Sequence, residues 1–520
     1  MVIGFANLFS WRPHMEHMVF LARSCIEAGI PVRFLNCDSG LPSCYAREIR
    51  QEGRIKACAK CMLGSIRGYE ANSITAINNQ MAGGLSASEC DDLSFSSAAT
   101  LTRIEDKKDA VLSDFKAYQQ HLAPSIQVIY ANTIRWIEKE KLTAIVLFNG
   151  RMDITAGLLQ AAKDKGLPVI THERAWYGDG LHMVMNQNCL GIKALQKMVA
   201  DYDDIPLLYD QAHQASLFII RRFLGQKTNE WRTYNPNREY TSWPRKLGVG
   251  KAPKILVLPS STNEVIGHQD WTSYWENNGE ALTELLAHFK LDPSHYVVRG
   301  HPNWSETIGS SDGGRIDAFY KRWCQLSGVH YIAPSNKAST QSLMAQADII
   351  ITNGSTAALE AGFLGKRIIN IGQAPFSTAG FVEAIITSAD MRALSVDSQS
   401  DKNIIQRKTL RYLYTHQARY TQFTDAIVSK SSANSDYFHK SVSKRLLNMI
   451  ETGIITPYTT EVAEDSQAEN DFIADINKGN WKWLLDRRVP KNYGDRLLIK
   501  RRFFLRWLHF ARGFLTVGDR

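Results

Sequence analysis

The chain has 520 residues, 44% hydrophobic and 10% aromatic, which allows two to four domains with cores of their own and excludes a mainly disordered chain. Its net charge of +9 is concentrated at one end, where residues 481–520 hold eleven Lys/Arg against Asp486, Asp495 and Asp519, so the rest of the chain is near neutral. That distribution argues against nucleic acid as a partner, and no run approaches the roughly 18 apolar residues a spanning helix needs.

In chain order, Val2–Leu8 is strand-like and lacks the basic and apolar regions of a secretory leader, so the cytosol is the expected compartment. A polar loop (Phe9–His14), a helix to Ala28, a stop at Gly29 and a strand Pro31–Cys37 come next. Residues 40–140 lack strand alternation and are expected as a helical insertion, clearest at Asp106–Gln120 and Ser125–Lys139. Leu142–Phe148 resumes the strand pattern and ends in Asn149-Gly150-Arg151. A helix to Lys165 leads to the strand Pro168–Thr171, which ends in His172-Glu173-Arg174. Residues 1–225 thus read as one α/β domain and 226–253, with Pro236, Pro244, Gly248 and Gly250, as a linker.

Residues 254–400 read as a second α/β domain, built on the apolar runs Lys254–Ser261, His295–Asn303 and Ala347–Gly354. Residues 401–454 are expected as a helical extension, and 455–520 as a flexible acidic connection leading into a basic amphipathic tail. From Arg496 that tail mixes Lys/Arg with Leu497, Phe503, Phe504, Trp507, Phe510 and Phe514, the composition of a helix lying on an anionic membrane surface. A helix packed back onto the first domain is the rival reading.

Chemistry collects where the strands of the second domain end. In an open parallel sheet the ligand sits outside the carboxyl ends of the strands. Ser261 closes one run, and Arg299 and His301 close another, both able to donate to phosphate. Ser355 and Thr356 open a helix after Gly354, and exposed amides there suit a phosphate. Glu360, one turn further, is placed to accept from a ribose diol. An ordinary helix cap explains many such Ser/Thr positions equally well.

The spacing of Cys44, Cys58 and Cys61 (C-x13-C-x2-C), with Cys37 nearby, allows a structural zinc, packing thiols or a redox pair. Arg47, Arg50, Arg54, Lys56 and Lys60 surround them, a positive charge suited to a lipid-linked pyrophosphate.

The motifs Arg299/His301/Pro302, Ser342, Ala347-Asp348, Asn353, Ser355-Thr356, Glu360-Ala361-Gly362 and Gly365-Lys366 resemble the donor-binding domain of GT-B glycosyltransferases, above all bacterial capsule and surface-polysaccharide biosynthesis proteins. The likeness is good over residues 254–375 and looser over 1–175. It implies two Rossmann-like doubly wound domains facing a cleft, with a nucleotide-sugar donor on the second, a glycan or lipid-linked acceptor on the first, and no catalytic metal or other cofactor. Asn353, Ser261, Arg299, His301, Ser355, Thr356 and Glu360 would then hold the donor. The base would come from the first domain: Glu173 before all, with Asp153, Asp38 and His14 behind it. Arg12, Asn149, Arg151 and His172 would meet the acceptor. A nucleotide-sugar epimerase, a polyol-phosphate transferase or an inert membrane-associated scaffold remain alternatives.

Overall fold

A computed structural model describes residues 1–65, 74–226, 239–244, 252–308, 311–440, 442–487, 493–497 and 499. Its framework is two six-stranded sheets built from short, buried apolar strands. The first holds β1 (Ile3–Asn7), β2 (Val32–Asn36), β3 (Ile74–Ala76), β4 (Ala144–Phe148), β5 (Val169–Arg174) and β6 (Leu181–Met185). The second holds β7 (Ile255–Leu258), β8 (Tyr296–Arg299), β9 (His330–Ile332), β10 (Ile349–Thr352), β11 (Arg367–Ile371) and β12 (Glu383–Ile385). Strand order runs β3-β2-β1-β4-β5-β6 in one and β9-β8-β7-β10-β11-β12 in the other. Each is the doubly wound order in which the chain reverses direction across the sheet between its first and fourth strands, opening a crevice there. All pairs in these two sheets are parallel except β5 with β6.

The continuous apolar runs result from burial on both faces. In the second sheet Ile255, Val257, Ile349 and Ile351 point into a core of that domain alone. Their alternates Leu256, Leu258 and Ile350 join a larger core that continues into the first domain. The two domains therefore share apolar material rather than meeting only at a polar seam.

The helices that position the site and anchor the C-terminal chain are α1 (His14–Glu27), α2 (Ala87–Thr102), α3 (Ser113–Glu140), α4 (Asp153–Asp164), α5 (Tyr209–Phe223), α6 (Ala357–Phe363), α7 (Lys402–Tyr414) and α8 (Gln467–Asn477). Three expectations change. The insertion contains a sheet strand, β3, too short to show alternation. The two helices expected over residues 106–139 become a 3-10 turn (Lys107–Val111) and the single helix α3, which contains Pro124 and buries Leu122, Ile126 and Ile129 on either side of it. Within 455–480, expected to be flexible, α8 forms and buries Phe472, Ile473 and Ile476. It does so because Glu469, with no solvent exposure, is held by Arg411 of α7 at 2.9 and 2.7 Å.

After α7 the chain passes through a π-helical turn (Thr415–Tyr420) and returns to the first domain. There Leu181 and Gln422 exchange backbone hydrogen bonds, and Tyr437 meets Nδ1 of His17 at 3.0 Å. The basic tail lies almost wholly outside the described residues. Its first residues, Arg496 and Leu497, form a strand against Asn434–Phe438 rather than the start of a helix. No helix among the described residues is long and apolar enough to cross a membrane. Two doubly wound domains, a mostly helical insertion and a C-terminal segment crossing back make this a GT-B-like α/β architecture.

Candidate active site

At the first domain's crevice, β4 ends in Asn149, whose left-handed backbone (φ 64°) turns the chain and aims its amide at β5. That amide donates to the Glu173 carboxylate, while Oδ1 of Asn149 accepts from the Arg151 amide at 2.8 Å. Glu173 is partly buried. Burial raises its pKa above the ordinary carboxylate value, against the Asn149 bond and the charges of Arg151 and Arg174, with Glu264 pushing it further up. A carboxylate so placed is a stronger proton acceptor than a solvated one.

Arg151 is buried and donates to Ser96 and Thr100 of α2 at 3.0 and 2.9 Å. Its other guanidinium nitrogen is 4.0 Å from Glu264, which belongs to the second domain. Arg151 is thus a cation held at the junction of the two domains.

The other first-domain candidates fall away from the cleft. Strand alternation turns His172 to the face opposite Glu173; it is fully buried, and burial lowers its pKa to about 3. His14 is buried with its ring 4.1 Å from Phe148, and burial and its neighbours His17, His172 and Arg174 hold it well below its usual pKa. Asp153 is fully buried, accepts from the Tyr45 amide at 3.0 Å, which fastens a loop, and has a pKa raised by burial to about 6. Arg12, just before α1, pairs with Glu16 in the first turn of that helix at 2.9 Å.

On the second domain, the residue types expected are present but several are used internally. Arg299 is buried and donates to the carbonyls of Gly300, Ala333 and Asn336 at 2.9, 2.6 and 2.8 Å. It organises the loop after β9 instead of offering its guanidinium to a phosphate. Asn353 bonds both ways with the backbone of Ser260, tying together the chain segments that leave β7 and β10. Ser261 accepts from the Trp304 indole at 2.8 Å. The Gly354 amide is taken by Asn370 at 2.7 Å, a buried residue not expected from the sequence. Ser355 is buried and accepts from the Ala357 amide at 3.3 Å, the ordinary capping role.

What does assemble is a group around His301. Nδ1 of His301 accepts from the Asn303 amide at 3.2 Å. Burial lowers its pKa to about 4, with Arg299, Arg222 and Arg103 adding to the effect. The ring is therefore neutral near pH 7 with its proton on Nε2, a fixed donor. Arg222 of α5 donates to Glu360 at 2.7 Å and to Thr356 at 3.3 Å. Sequence reasoning misses Arg222, because nothing in a lone arginine pair ending an amphipathic helix marks it as reaching across to α6.

The two halves are joined by α2 and the loop after β7. Arg103, just past α2, donates to the carbonyls of Glu306 and Asn303 at 2.8 and 3.1 Å. Glu105 is buried and accepts from the Thr262 amide and hydroxyl, at 2.9 and 2.7 Å to one oxygen. Burial raises its pKa to about 7, against these bonds and Arg103.

Among the described residues no group of three His, Cys, Asp or Glu side chains is placed to hold a metal ion. None of the eight cysteines is in a disulfide.

No family model matches the sequence, and no curated protein does. Solved structures similar to it include KpsC of Thermosulfurimonas dismutans, a beta Kdo 2,7 transferase, at 12% identity over 67% of this chain and 89% of that one, with a TM-score of 0.34. A putative UDP-N-acetylglucosamine 2-epimerase of Listeria monocytogenes shares 9% identity over 87% and 96%, with a TM-score of 0.27. MurG of Acinetobacter baumannii shares 10% over 87% and 100%, with a TM-score of 0.26.

Proposed function

We propose that this protein is a glycosyltransferase that moves a sugar from a nucleotide-sugar donor to a hydroxyl of a growing surface glycan or lipid-linked acceptor, of the capsule-polysaccharide kind. The observation that carries the reading is Glu173: a carboxylate of raised pKa, held by Asn149, at the carboxyl end of a first-domain strand beside the junction with the second domain. The acceptor oxygen attacks the anomeric carbon, its proton passes to Glu173, and the bond from that carbon to the donor's phosphate oxygen breaks. The nucleotide leaves with the electron pair. His301 Nε2–H and Arg222 supply the donors that meet the growing phosphate charge, and Thr356 and Glu360 lie beside them. Arg299, Asn353 and Ser261 hold the loops that shape this pocket. The basic tail brings the enzyme to an anionic membrane surface on the cytoplasmic side, where lipid-linked acceptors reside.

Incubation with radiolabelled CMP-, UDP-, GDP- and CDP-sugars tests the reading. One donor is expected to release free nucleotide only when a glycan acceptor is present. Isomerised donor without acceptor would mean epimerisation, and no turnover with any donor would leave the fold without this chemistry. Equal glycan output from cells carrying Arg222→Ala with His301→Ala would point to a scaffold.

A further inference from the structure

The loop after β7 belongs to the second domain, yet from Thr262 to Trp271 it is fastened to the first. Thr262 is held by Glu105. The Glu264 carbonyl accepts from Oγ of Ser96 in α2 at 3.4 Å, and Asp270 accepts from the Ile192 amide at 3.1 Å. The Trp271 indole donates to the Leu190 carbonyl at 2.7 Å. Gly267 lies so near Phe95 of α2 that a side-chain carbon added there would sit 3.3 Å from the ring. Carried by this loop, the Glu264 carboxylate comes to rest 4.0 Å from Nη2 of Arg151, the buried cation whose Nη1 is spent on Ser96 and Thr100.

Arg151 thus acts on two carboxylates, Glu173 from its own domain and Glu264 from the other. Burial does most to raise the pKa of Glu173; the Asn149 bond, Arg151 and Arg174 oppose it, and Glu264 adds to it. The remaining titratable neighbours are neutral near pH 7. Burial holds the Cys189 thiol well above its usual range and the Tyr45 phenol beside Arg151 above its own. His182, opposite Glu173 in the strand register, is brought by burial to about 4. The Glu264 side chain is 59% exposed, so water screens it and its influence is smaller than that of burial. We propose that Glu264 is a positioning residue for the proton acceptor: brought in on the second domain, it divides the pull of Arg151 and keeps Glu173 ready to take a proton while the two domains are in contact. The role rests on the glycosyltransfer reading, and it makes the loop after β7 the link between domain contact and proton transfer.

The test uses the full chain and follows the infrared band of the protonated Glu173 carboxyl through a pH series, with the Glu173→Gln spectrum subtracted in each background. Glu264→Gln is expected to move the titration midpoint to lower pH and Glu264→Lys to move it further the same way. Glu264→Asp should leave it near the wild-type value. That order follows charge, and a merely structural role would not produce it. Gly267→Val, which pushes the loop off Phe95 without changing a charge, is expected to shift the midpoint in the direction of Glu264→Gln. A midpoint unmoved by Gln and Lys, or moved to higher pH, overturns the role of Glu264. A wild-type midpoint in Gly267→Val overturns its dependence on domain contact. In the transfer assay Glu264→Gln should turn over roughly two- to five-fold more slowly on its high-pH plateau, with the kcat/KM profile displaced to lower pH. The titration needs no substrate, so the two ideas fail separately. A charge-ordered midpoint in a chain that turns over no nucleotide sugar keeps the hold of Glu264 on Glu173 and removes the glycosyltransferase reading. Turnover with a midpoint indifferent to Glu264 does the reverse.

Discussion

Glu173 and His301 divide the proposed chemistry between a proton acceptor and a fixed donor, and each depends on a neighbour that sets its state. Glu173→Gln keeps the Asn149 contact in shape but cannot take a proton. Turnover should fall by about 10²- to 10⁴-fold while nucleotide-sugar binding, read by thermal shift, stays. Because the pKa of Glu173 is raised by burial, the wild-type rate should climb with pH through a value above the ordinary 4.5 of a glutamate, and a kcat/KM profile in a pH series checks it. At this scale the sequence reveals residue types and not directions. Arg299, His301 and Asn353 stand at strand ends as expected. Yet Arg299 turns inward to carbonyls and Asn353 to Ser260, because buried backbone acceptors near a chain reversal must be satisfied by something. Only the folded loop after β9 shows that Arg299 is the group that does so.

Helix α2 does more than fill an insertion. Through Arg103 and Glu105 it ties the first domain to the loops after β7 and β8, at the crevice of the second domain. Glu105 titrates near 7 when folded and near 4.5 when unfolded. The folded state therefore holds its proton more tightly, so its contribution is fully present below pH 4.5 and is lost as pH rises to about 7. On the order of 3 kcal/mol is at stake. Thermal melting from pH 5 to 8 should show stability declining, and Glu105→Gln should flatten that slope. The short acidic segment at 455–480 reads as flexible from its polarity alone, and its helix α8 exists because one of those acids is not solvated. Glu469→Ala leaves Arg411 buried and unpaired, which should cost about 3–5 kcal/mol in denaturant unfolding. The doubly wound sheets are legible because strands covered on both faces read as uninterrupted apolar runs. Strand β3, three residues with one partly buried isoleucine, is not.

Over the whole molecule the decisive contact is the return of the C-terminal chain to the first domain. Gly180 has φ +88°, and a side-chain carbon added there would sit 2.5 Å from the Gln422 carbonyl oxygen. Gly180→Ala should therefore loosen the contact between the returning segment and β6, at a cost of about 1–3 kcal/mol. Hydrogen exchange is expected to rise at Leu181 and Gln422 before it rises in β7 or β10. Nothing at the sequence level announces such a contact, since its partners lie far apart in the chain and carry no shared pattern.

The bond between His17 and Tyr437 spans 420 residues. A ribosome adding roughly 5–20 residues each second needs about 20–80 s to travel that distance. For that interval α1 is made but part of its cover is not, and Phe20 waits without Tyr437, whose ring centre will lie 5.2 Å from its own. A nascent chain thus carries that face of α1 uncovered, open to chaperones and proteases, until the segment around Tyr437 is made.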